Sequence, residues 1–249
     1  CTPHSIRIQG INIVVFFGLQ YFIKKYLIEE FDKSFFSKPK EEVVKQYQRR
    51  INAYLGNNSV GTKHIEDLHD LGYLPIEIKA LSEGSMIDLK IPMLTVKNTH
   101  PDFFWLVNYF ETIISATIWM PCTSATIALQ YRKLLTKYAK KTGGDLNFVP
   151  FQGHDFSFRG MAGLEAAMMS GAGHLLSFSG TDTLPAIDFL EEYYNANCEK
   201  ELIGMSVPAT EHSVMCSGTK DDEIGTFKRL ITQIYPSGIV TIVSETWDF

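Results

Sequence analysis

Cysteine is scarce in this chain, whose 249 residues include four, at positions 1, 122, 198 and 216. No two of them have C-x-x-C spacing, so the sequence indicates neither a zinc site nor a disulfide framework. Scattered free thiols are typical of a reducing compartment, and we therefore expect a cytoplasmic protein.

An excess of positive charge is also missing. Lys and Arg number 23 against 28 Asp and Glu, which gives a formal net charge of -5. General nucleic-acid binders are usually basic, so we expect no nucleic-acid partner. A composition that is 45% apolar and 20% charged is typical of a globular chain with a sizeable core and one or two domains.

Long uninterrupted apolar runs are absent as well. The segment 11–23 is too short to cross about 30 Å of hydrocarbon. The segment 103–120 contains Asn108 and Glu111, which favours a buried helix over a membrane span. We therefore expect no membrane partner.

The two ends of the sequence are unusual. The chain opens on Cys1, and a strand-like run at 239–243 is followed by only six residues. A buried parallel strand needs neighbours on both sides. These features favour a fragment of a longer protein, with an unusual natural terminus as the alternative.

The first 142 residues are predicted to form a helical region with a small antiparallel β unit. Apolar spacing predicts helices over 14–30 and 39–55. Alternation at 75–80 and again at 93–96 is typical of antiparallel strands. Two long helices are expected to follow, at about 101–119 and 122–141.

From residue 143 to residue 249 the pattern changes to strand, loop and helix, which predicts βαβ units and a parallel sheet. Four strands would make about half of an eight-stranded barrel. The predicted fold class is therefore α/β, with a partial parallel α/β barrel as the second domain. The strands are expected at 146–151, 174–178, 203–207 and 238–243, and the helices at about 159–171, 183–195 and 220–233.

Four residues with useful chemistry follow these predicted strands, namely Phe156, Arg159, Asp182 and His212. Each has an ordinary structural interpretation: core packing for Phe156, a surface or helix-capping position for Arg159, a helix N-cap or first-turn acid for Asp182 and a satisfied structural histidine for His212. Catalytic groups of parallel barrels lie at the C-terminal ends of the strands, so their joint occurrence there favours a site.

The residue types suit an enzyme that stacks a flat base beside phosphates. An aromatic face such as Phe156 can stack a planar ring. A carboxylate such as Asp182 accepts a hydrogen bond from an amide NH2 but repels another carboxylate. A guanidinium such as Arg159 matches phosphate oxygens.

Three motifs carry a resemblance to a known family: His154-Asp155-Phe156-Ser157-Phe158-Arg159-Gly160, Gly180-Thr181-Asp182-Thr183 and Ser206-Val207-Pro208-Ala209-Thr210-Glu211-His212-Ser213. Together they resemble the nicotinamide phosphoribosyltransferase family from about Val14 onwards. The resemblance implies that Phe156 stacks the pyridine ring, Arg159 contacts diphosphate and Asp182 reads the carboxamide. It also implies that His212 contacts diphosphate and is phosphorylated during ATP hydrolysis. We expect the adjacent Glu211 to help orient His212. A base tunnel would be lined by His154, Ser206 and Ala209.

The implied reaction transfers phosphoribosyl from phosphoribosyl pyrophosphate to nicotinamide, giving nicotinamide mononucleotide and pyrophosphate in NAD salvage. The resemblance further implies Mg2+ bound with phosphoribosyl pyrophosphate, ATP as an optional coupled substrate, no metal site built from the protein alone and a homodimer with active sites at the subunit interface. The alternatives are a nicotinate phosphoribosyltransferase, which should avoid an acid at position 182, and a non-catalytic truncated member. A general sugar-cleaving barrel is a weaker third alternative, because no pair of carboxylates has an obvious acid/base arrangement.

The sequence also departs from the family pattern. Glu245 stands where the family usually has aspartate, and neither the family's N-terminal segment nor the second half of its barrel has a counterpart here. An extra methylene displaces a carboxylate by more than about 1 Å, which matters in a positioned site. We therefore expect little or no turnover from this chain alone.

Overall fold

The computed structural model describes residues 1–247. The chain forms two compact units, Cys1–Gly204 and Met205–Phe249. The boundary expected between residues 142 and 143 lies inside the first unit, and the assignment of 143–249 to one domain stays a prediction.

The first regular element is a short strand, so the helix prediction for 14–30 is wrong at its start. Strand β1 (Ile13–Val15) consists of β-branched residues, which favour extended backbone. Helix α1 (Leu19–Phe22) begins after Gly18, whose φ of 105° suits glycine, and it continues as π-helix over Ile23–Glu30 and Asp32–Phe36. A Cβ on Gly18 would lie 2.6 Å from Cγ of Pro121, so this start also depends on tertiary packing.

The next helix and the antiparallel unit confirm their predictions. Helix α2 (Lys40–Leu55) starts after Pro39, has two acids in its first turn and ends at Gly56. After helix α3 (Lys63–Leu71), strand β2 (Ile76–Ala80) pairs antiparallel with β4 (Leu94–Asn98). Strand β3 (Met86–Asp88) pairs antiparallel with β1.

A single long helix, α4 (Leu106–Thr142), replaces the two helices predicted at 101–119 and 122–141. Pro121 lies inside it, and we attribute its tolerance to packing, since Pro121 and its neighbours Ile118 and Cys122 are all buried. By length and composition alone α4 could cross a membrane, but 44% of its most apolar window is buried within the protein. Buried residues of α4, which include Phe110, Ile114 and Ile118, belong to an apolar cluster of the first unit.

The parallel strands lie later in the chain than predicted. Residues 149–152 form helix α5 (Val149–Gln152), because Pro150 suits a first helical turn and cannot donate to a sheet. Strand β5 (His154–Asp155) follows, then helices α6 (Ser157–Gly160) and α7 (Leu164–Leu175). Strand β6 (Gly180–Thr181) pairs parallel with β5, and helix α8 (Pro185–Tyr194) comes next. The strand prediction for 174–178 is wrong, since residues 174–175 form the last part of α7 and residues 176–177 form a turn.

The second unit contains helices α9 (His212–Ser217) and α10 (Glu223–Arg229), and α10 continues as π-helix over Leu230–Ile234. The strands predicted at 203–207 and 238–243 form no more than isolated bridges: Ala209 pairs parallel with Thr241, and Met205 is also a bridge residue. Within residues 1–247 the sheets therefore have two strands each, which supports a mixed α/β protein without showing a barrel.

Two apolar clusters hold the first unit together and place the later strands. One gathers Phe16, Phe22 and Phe110 around α1 and α4. The other joins α1 to α7 and α8 through Phe17, Tyr21, Met169, Phe189 and Tyr193. Helix α7 packs closely on α4. There is no room between them for a side chain at Gly173, whose Cβ would lie 2.8 Å from the Pro121 carbonyl oxygen. This packing supports the residues that follow β5 and β6.

Candidate active site

The ends of β5 and β6 bring His154 and Asp182 together in the first unit. The parallel register pairs His154 with Gly180 and Asp155 with Thr181. Nε2 of His154 then donates to Oδ1 of Asp182 at 2.8 Å. The two side chains are 25% and 36% exposed, so a ligand can reach the carboxylate.

Phe156 and Arg159 lie beside this pair on the short helix α6 and its N-cap. The Phe156 ring is 46% exposed, and its centroid is 5.0 Å from that of the His154 ring. The Arg159 guanidinium lies over the same ring, with Cζ at 5.4 Å from the centroid, in cation–π contact. An open aromatic face, a cation and a carboxylate therefore share one surface.

The structure disagrees with two of the ordinary structural interpretations. Phe156 is too exposed to be a core residue. Asp182 is not a helix cap, because α8 begins at Pro185 with Leu184 in the N-cap position. His212 is 62% exposed at the start of α9 and bonds Glu245, which does not contradict its interpretation as a satisfied structural histidine.

A cavity of about 560 Å³ opens next to His154 in the first unit. Its wall is mainly apolar and includes Trp119, Ile127, Tyr131, Met161 and Phe178. Pockets of this size and lining are typical of small-molecule sites. His154 thus lies between the cavity and Asp182, a position that suits the wall of a tunnel.

His174 is a member of this cavity wall that the sequence reasoning missed. Its ring stacks on Phe178, with centroids 5.0 Å apart and planes 20° apart, and Nε2 lies 3.3 Å from the Gly153 carbonyl oxygen. Burial lowers the pKa of His174, which favours the neutral imidazole. Its only sequence signal was a histidine in the last turn of an apolar helix, which is not specific.

The second unit holds His212 against Glu245. Nε2 of His212 is 3.0 Å from Oε1 of Glu245, and both side chains are about 60% exposed. Hydrogen bonds from its own backbone amide and then from His212 lower the pKa of Glu245. Glu211, expected to orient His212, instead accepts from Oγ of Ser213. That expectation is wrong, because the carboxylate in contact comes from 33 residues further along the chain.

The other two residues expected in a tunnel belong to the second unit. Ala209 forms the bridge to Thr241, and Oγ of Ser206 lies 3.4 Å from the Val207 carbonyl oxygen. Their tunnel role stays a prediction, as do the roles of the other site residues. The end of the Glu245 motif, Asp248, lies outside the described residues.

Within residues 1–247 there is no group of three or more His, Cys, Asp or Glu side chains that could hold a metal ion. The Mg2+ expected with phosphoribosyl pyrophosphate stays a prediction; Mg2+ often takes only one or two protein carboxylates together with substrate phosphates.

Comparison with known proteins agrees with this chemistry. Residues 151–239 match the nicotinate phosphoribosyltransferase (NAPRTase) family. The chain is 54% identical over its whole length to a protein of Acinetobacter baylyi, covering 50% of that protein. It is 34% identical over 77% of its length to a protein of Xanthomonas campestris pv. campestris, covering 40% of it. A Mycoplasma pneumoniae protein matches at 34% identity over 70% of the chain and 36% of its own length.

By these matches the chain belongs to the nicotinate phosphoribosyltransferase family, which confirms the resemblance seen in its motifs. The three relatives all carry the name nicotinamide phosphoribosyltransferase. The chain spans about half the length of the curated relatives that it matches, or less.

Proposed function

We propose that this chain carries the base-binding part of a nicotinamide phosphoribosyltransferase. The reaction transfers phosphoribosyl from phosphoribosyl pyrophosphate to nicotinamide and releases pyrophosphate, in NAD salvage. The observation that carries the proposal is the shared surface of Phe156, Arg159 and the hydrogen-bonded pair His154–Asp182.

The base is recognised by stacking and by charge. Nicotinamide lies on the exposed face of Phe156, and its amide NH2 donates to Asp182, which His154 orients from the other side. Nicotinic acid would place a carboxylate against Asp182, and such like-charge contacts disfavour the wrong ligand. This disfavours the nicotinate alternative.

The second substrate binds through its phosphates. The Arg159 fork would contact diphosphate oxygens, and Mg2+ carried by the substrate would neutralise part of the phosphate charge. As pyrophosphate leaves, C1 of the ribose becomes oxocarbenium-like. The protein then contributes alignment of the ring nitrogen with C1 and stabilisation of the leaving charge.

His212 and Glu245 supply an optional coupling to ATP. With Nε2–H donated to Glu245, Nδ1 of His212 keeps its lone pair and is the nitrogen available for phosphorylation. Glu245 then stabilises the charge that develops on the imidazole. Replacing Glu245 by Gln should slow ATP hydrolysis while leaving nicotinamide binding unchanged.

The complete enzyme is proposed to be a cytoplasmic homodimer, in which this chain forms part of a parallel α/β barrel of the type II phosphoribosyltransferase kind. The relative from Acinetobacter baylyi is about twice as long as this chain, which supports a longer complete enzyme. The same coverage favours the second candidate, a chain that binds substrate but turns it over slowly or not at all. In that case the complete enzyme would turn over faster because the other half of the barrel and a partner subunit contribute further active-site residues.

Separate variants test the two halves of the site. Phe156→Ala should weaken nicotinamide binding at least about fivefold, because one good stacking contact contributes about 1 kcal/mol beyond its buried area. Arg159→Gln should instead weaken pyrophosphate binding. Phe158→Ala is the matched control, since that ring is also exposed but has no assigned role. Calorimetric titration in which Phe158→Ala matches the effect of Phe156→Ala would contradict the proposal.

A further inference from the structure

A buried carboxylate lies directly beneath the candidate site. Asp155 is only 8% exposed and forms no ion pair with a cation within residues 1–247. Its oxygens instead accept hydrogen bonds from the hydroxyls of Ser157 and Thr183 and, at 3.4 Å, from the Ser157 backbone amide. A buried carboxylate is costly in free energy unless it is hydrogen-bonded. The hydrogen bonds from Ser157 and Thr183 offset this cost for Asp155.

The contacts of Asp155 connect the two loops that carry the site residues. The Asp182 amide donates to the Asp155 carbonyl oxygen at 2.8 Å. Thr183, which is fully buried, donates its hydroxyl to Asp155 and accepts from the Phe158 amide at 3.3 Å. The α6 turn and the β6 loop are therefore joined through one carboxylate and one hydroxyl.

Helix α7 leaves space for this cluster and supports it from below. A Cβ on Gly171 would lie 3.1 Å from Oδ2 of Asp155 and 2.8 Å from Cβ of Ala186. Oγ of Ser157 also lies 3.0 Å from Oγ of Ser170 on the same helix. Because packing and hydrogen bonding both converge on Asp155, its carboxylate has one well-defined position.

We propose that Asp155 is a positioning residue for base selection. Through Thr183 and Ser157 it fixes the turn that carries Phe156 and Arg159 relative to the loop that carries Asp182. It touches no substrate, and its effect on selectivity rests on the proposed function of the site. Loosening it lets the stacking ring and the selecting carboxylate move independently.

The test removes the hydroxyl of Thr183 while keeping its shape. Thr183→Val deletes the bond to Asp155, and Thr183→Ser restores it. Asp155→Asn provides a second perturbation, because its NH2 cannot accept from a hydroxyl. Thr126→Val is the matched control, since Thr126 is another buried threonine of the first unit whose hydroxyl bonds the Val15 amide and the Cys122 carbonyl.

Two readouts on the full chain separate this proposal from the proposed function. In calorimetry, Thr183→Val should reduce the preference for nicotinamide over nicotinic acid about tenfold, and Thr183→Ser and Thr126→Val should keep it. In hydrogen exchange, the Phe158 and Asp182 amides should exchange faster in Thr183→Val but not in Thr183→Ser. An unchanged preference in Thr183→Val and Asp155→Asn would overturn the proposal.

If the unmodified chain binds neither base, the proposed function fails and hydrogen exchange alone decides about Asp155. Faster exchange confined to the α6 turn and the β6 loop then supports its positioning role. Exchange that is unchanged there, or that changes equally in Thr126→Val, contradicts it.

Discussion

Replacing Asp182 by Asn removes the charge of the selecting residue and keeps its shape. The amide oxygen of Asn can still accept from Nε2 of His154, which now lies 2.8 Å from Oδ1, and from the NH2 of nicotinamide. The geometry of the site is therefore retained. The change isolates the electrostatic part of the selection against nicotinic acid.

The magnitude follows from distance and exposure. Two unit charges about 4 Å apart repel by about 1 kcal/mol in water and about 4 kcal/mol near a protein surface. The Asp182 side chain is 36% exposed, so an intermediate value of about 2 kcal/mol applies. Nicotinic acid should then bind about thirtyfold more tightly to the Asn variant. Nicotinamide should bind about threefold more weakly, because a charge-assisted hydrogen bond becomes a neutral one.

Isothermal titration of both bases against the chain and the variant, at one pH and ionic strength, measures this change. Asp188→Asn is the matched control, since Asp188 is an exposed aspartate in the first turn of α8. An Asp182→Asn variant that keeps the full preference for nicotinamide would refute the assignment of Asp182. An Asp188→Asn variant that loses the preference would show that only overall charge matters. Asp182→Ser, which also removes the planar acceptor, should relax the preference further.

Three further predictions concern the scaffold. Gly173→Ala should lower the free energy of unfolding by about 1–3 kcal/mol, since the new Cβ would press on the Pro121 backbone. Gly61→Ala is the control and should cause no such loss, because its Cβ would have no atom within 4 Å. Urea denaturation measures both variants. Burial raises the pKa of the Cys122 thiol to about 12, so iodoacetamide at pH 8 should modify three cysteines of the native chain and the fourth only after unfolding, as counted by mass spectrometry. Because burial lowers the pKa of His174 below its unfolded value of about 6.5, its stabilising contribution is present above that pH and is lost as the pH falls; unfolding curves of a His174→Gln variant should depend less on pH between 7 and 5.

Local signals in the sequence predicted helix α2 and the antiparallel pair of β2 and β4. Pro39, the two acids after it and Gly56 mark the bounds of α2, and alternation marks the pairing of β2 with β4. These features depend on neighbours in sequence, so a reader of the sequence can find them. The start of α1 was misplaced because Gly18 and β1 are set by contacts with distant residues.

The errors after residue 143 have the same cause. The apolar run at 146–151 forms a helical turn because Pro150 suits it, and the β5–β6 strands are too short to show a period. The two helices predicted at 101–119 and 122–141 are one, since Pro121 is buried inside α4. Tertiary packing overrode local propensity at each of these positions.

The candidate site was predictable in its residue types and not in its contacts. Phe156, Arg159, Asp182 and His212 stood out because their motifs resemble a family. The bonds of His154 to Asp182 and of His212 to Glu245 span 28 and 33 residues, which no periodicity reveals. Asp155 was visible in the first motif but had no signal that distinguished it from its neighbours.

The central claim is that this chain selects nicotinamide over nicotinic acid at Asp182. Its most direct test incubates the chain with phosphoribosyl pyrophosphate, Mg2+ and equal amounts of the two bases, and identifies the products by mass spectrometry over a long incubation. Product formation should be slow or below detection, and any product should be nicotinamide mononucleotide. Nicotinic acid mononucleotide in equal or greater amount would contradict the claim.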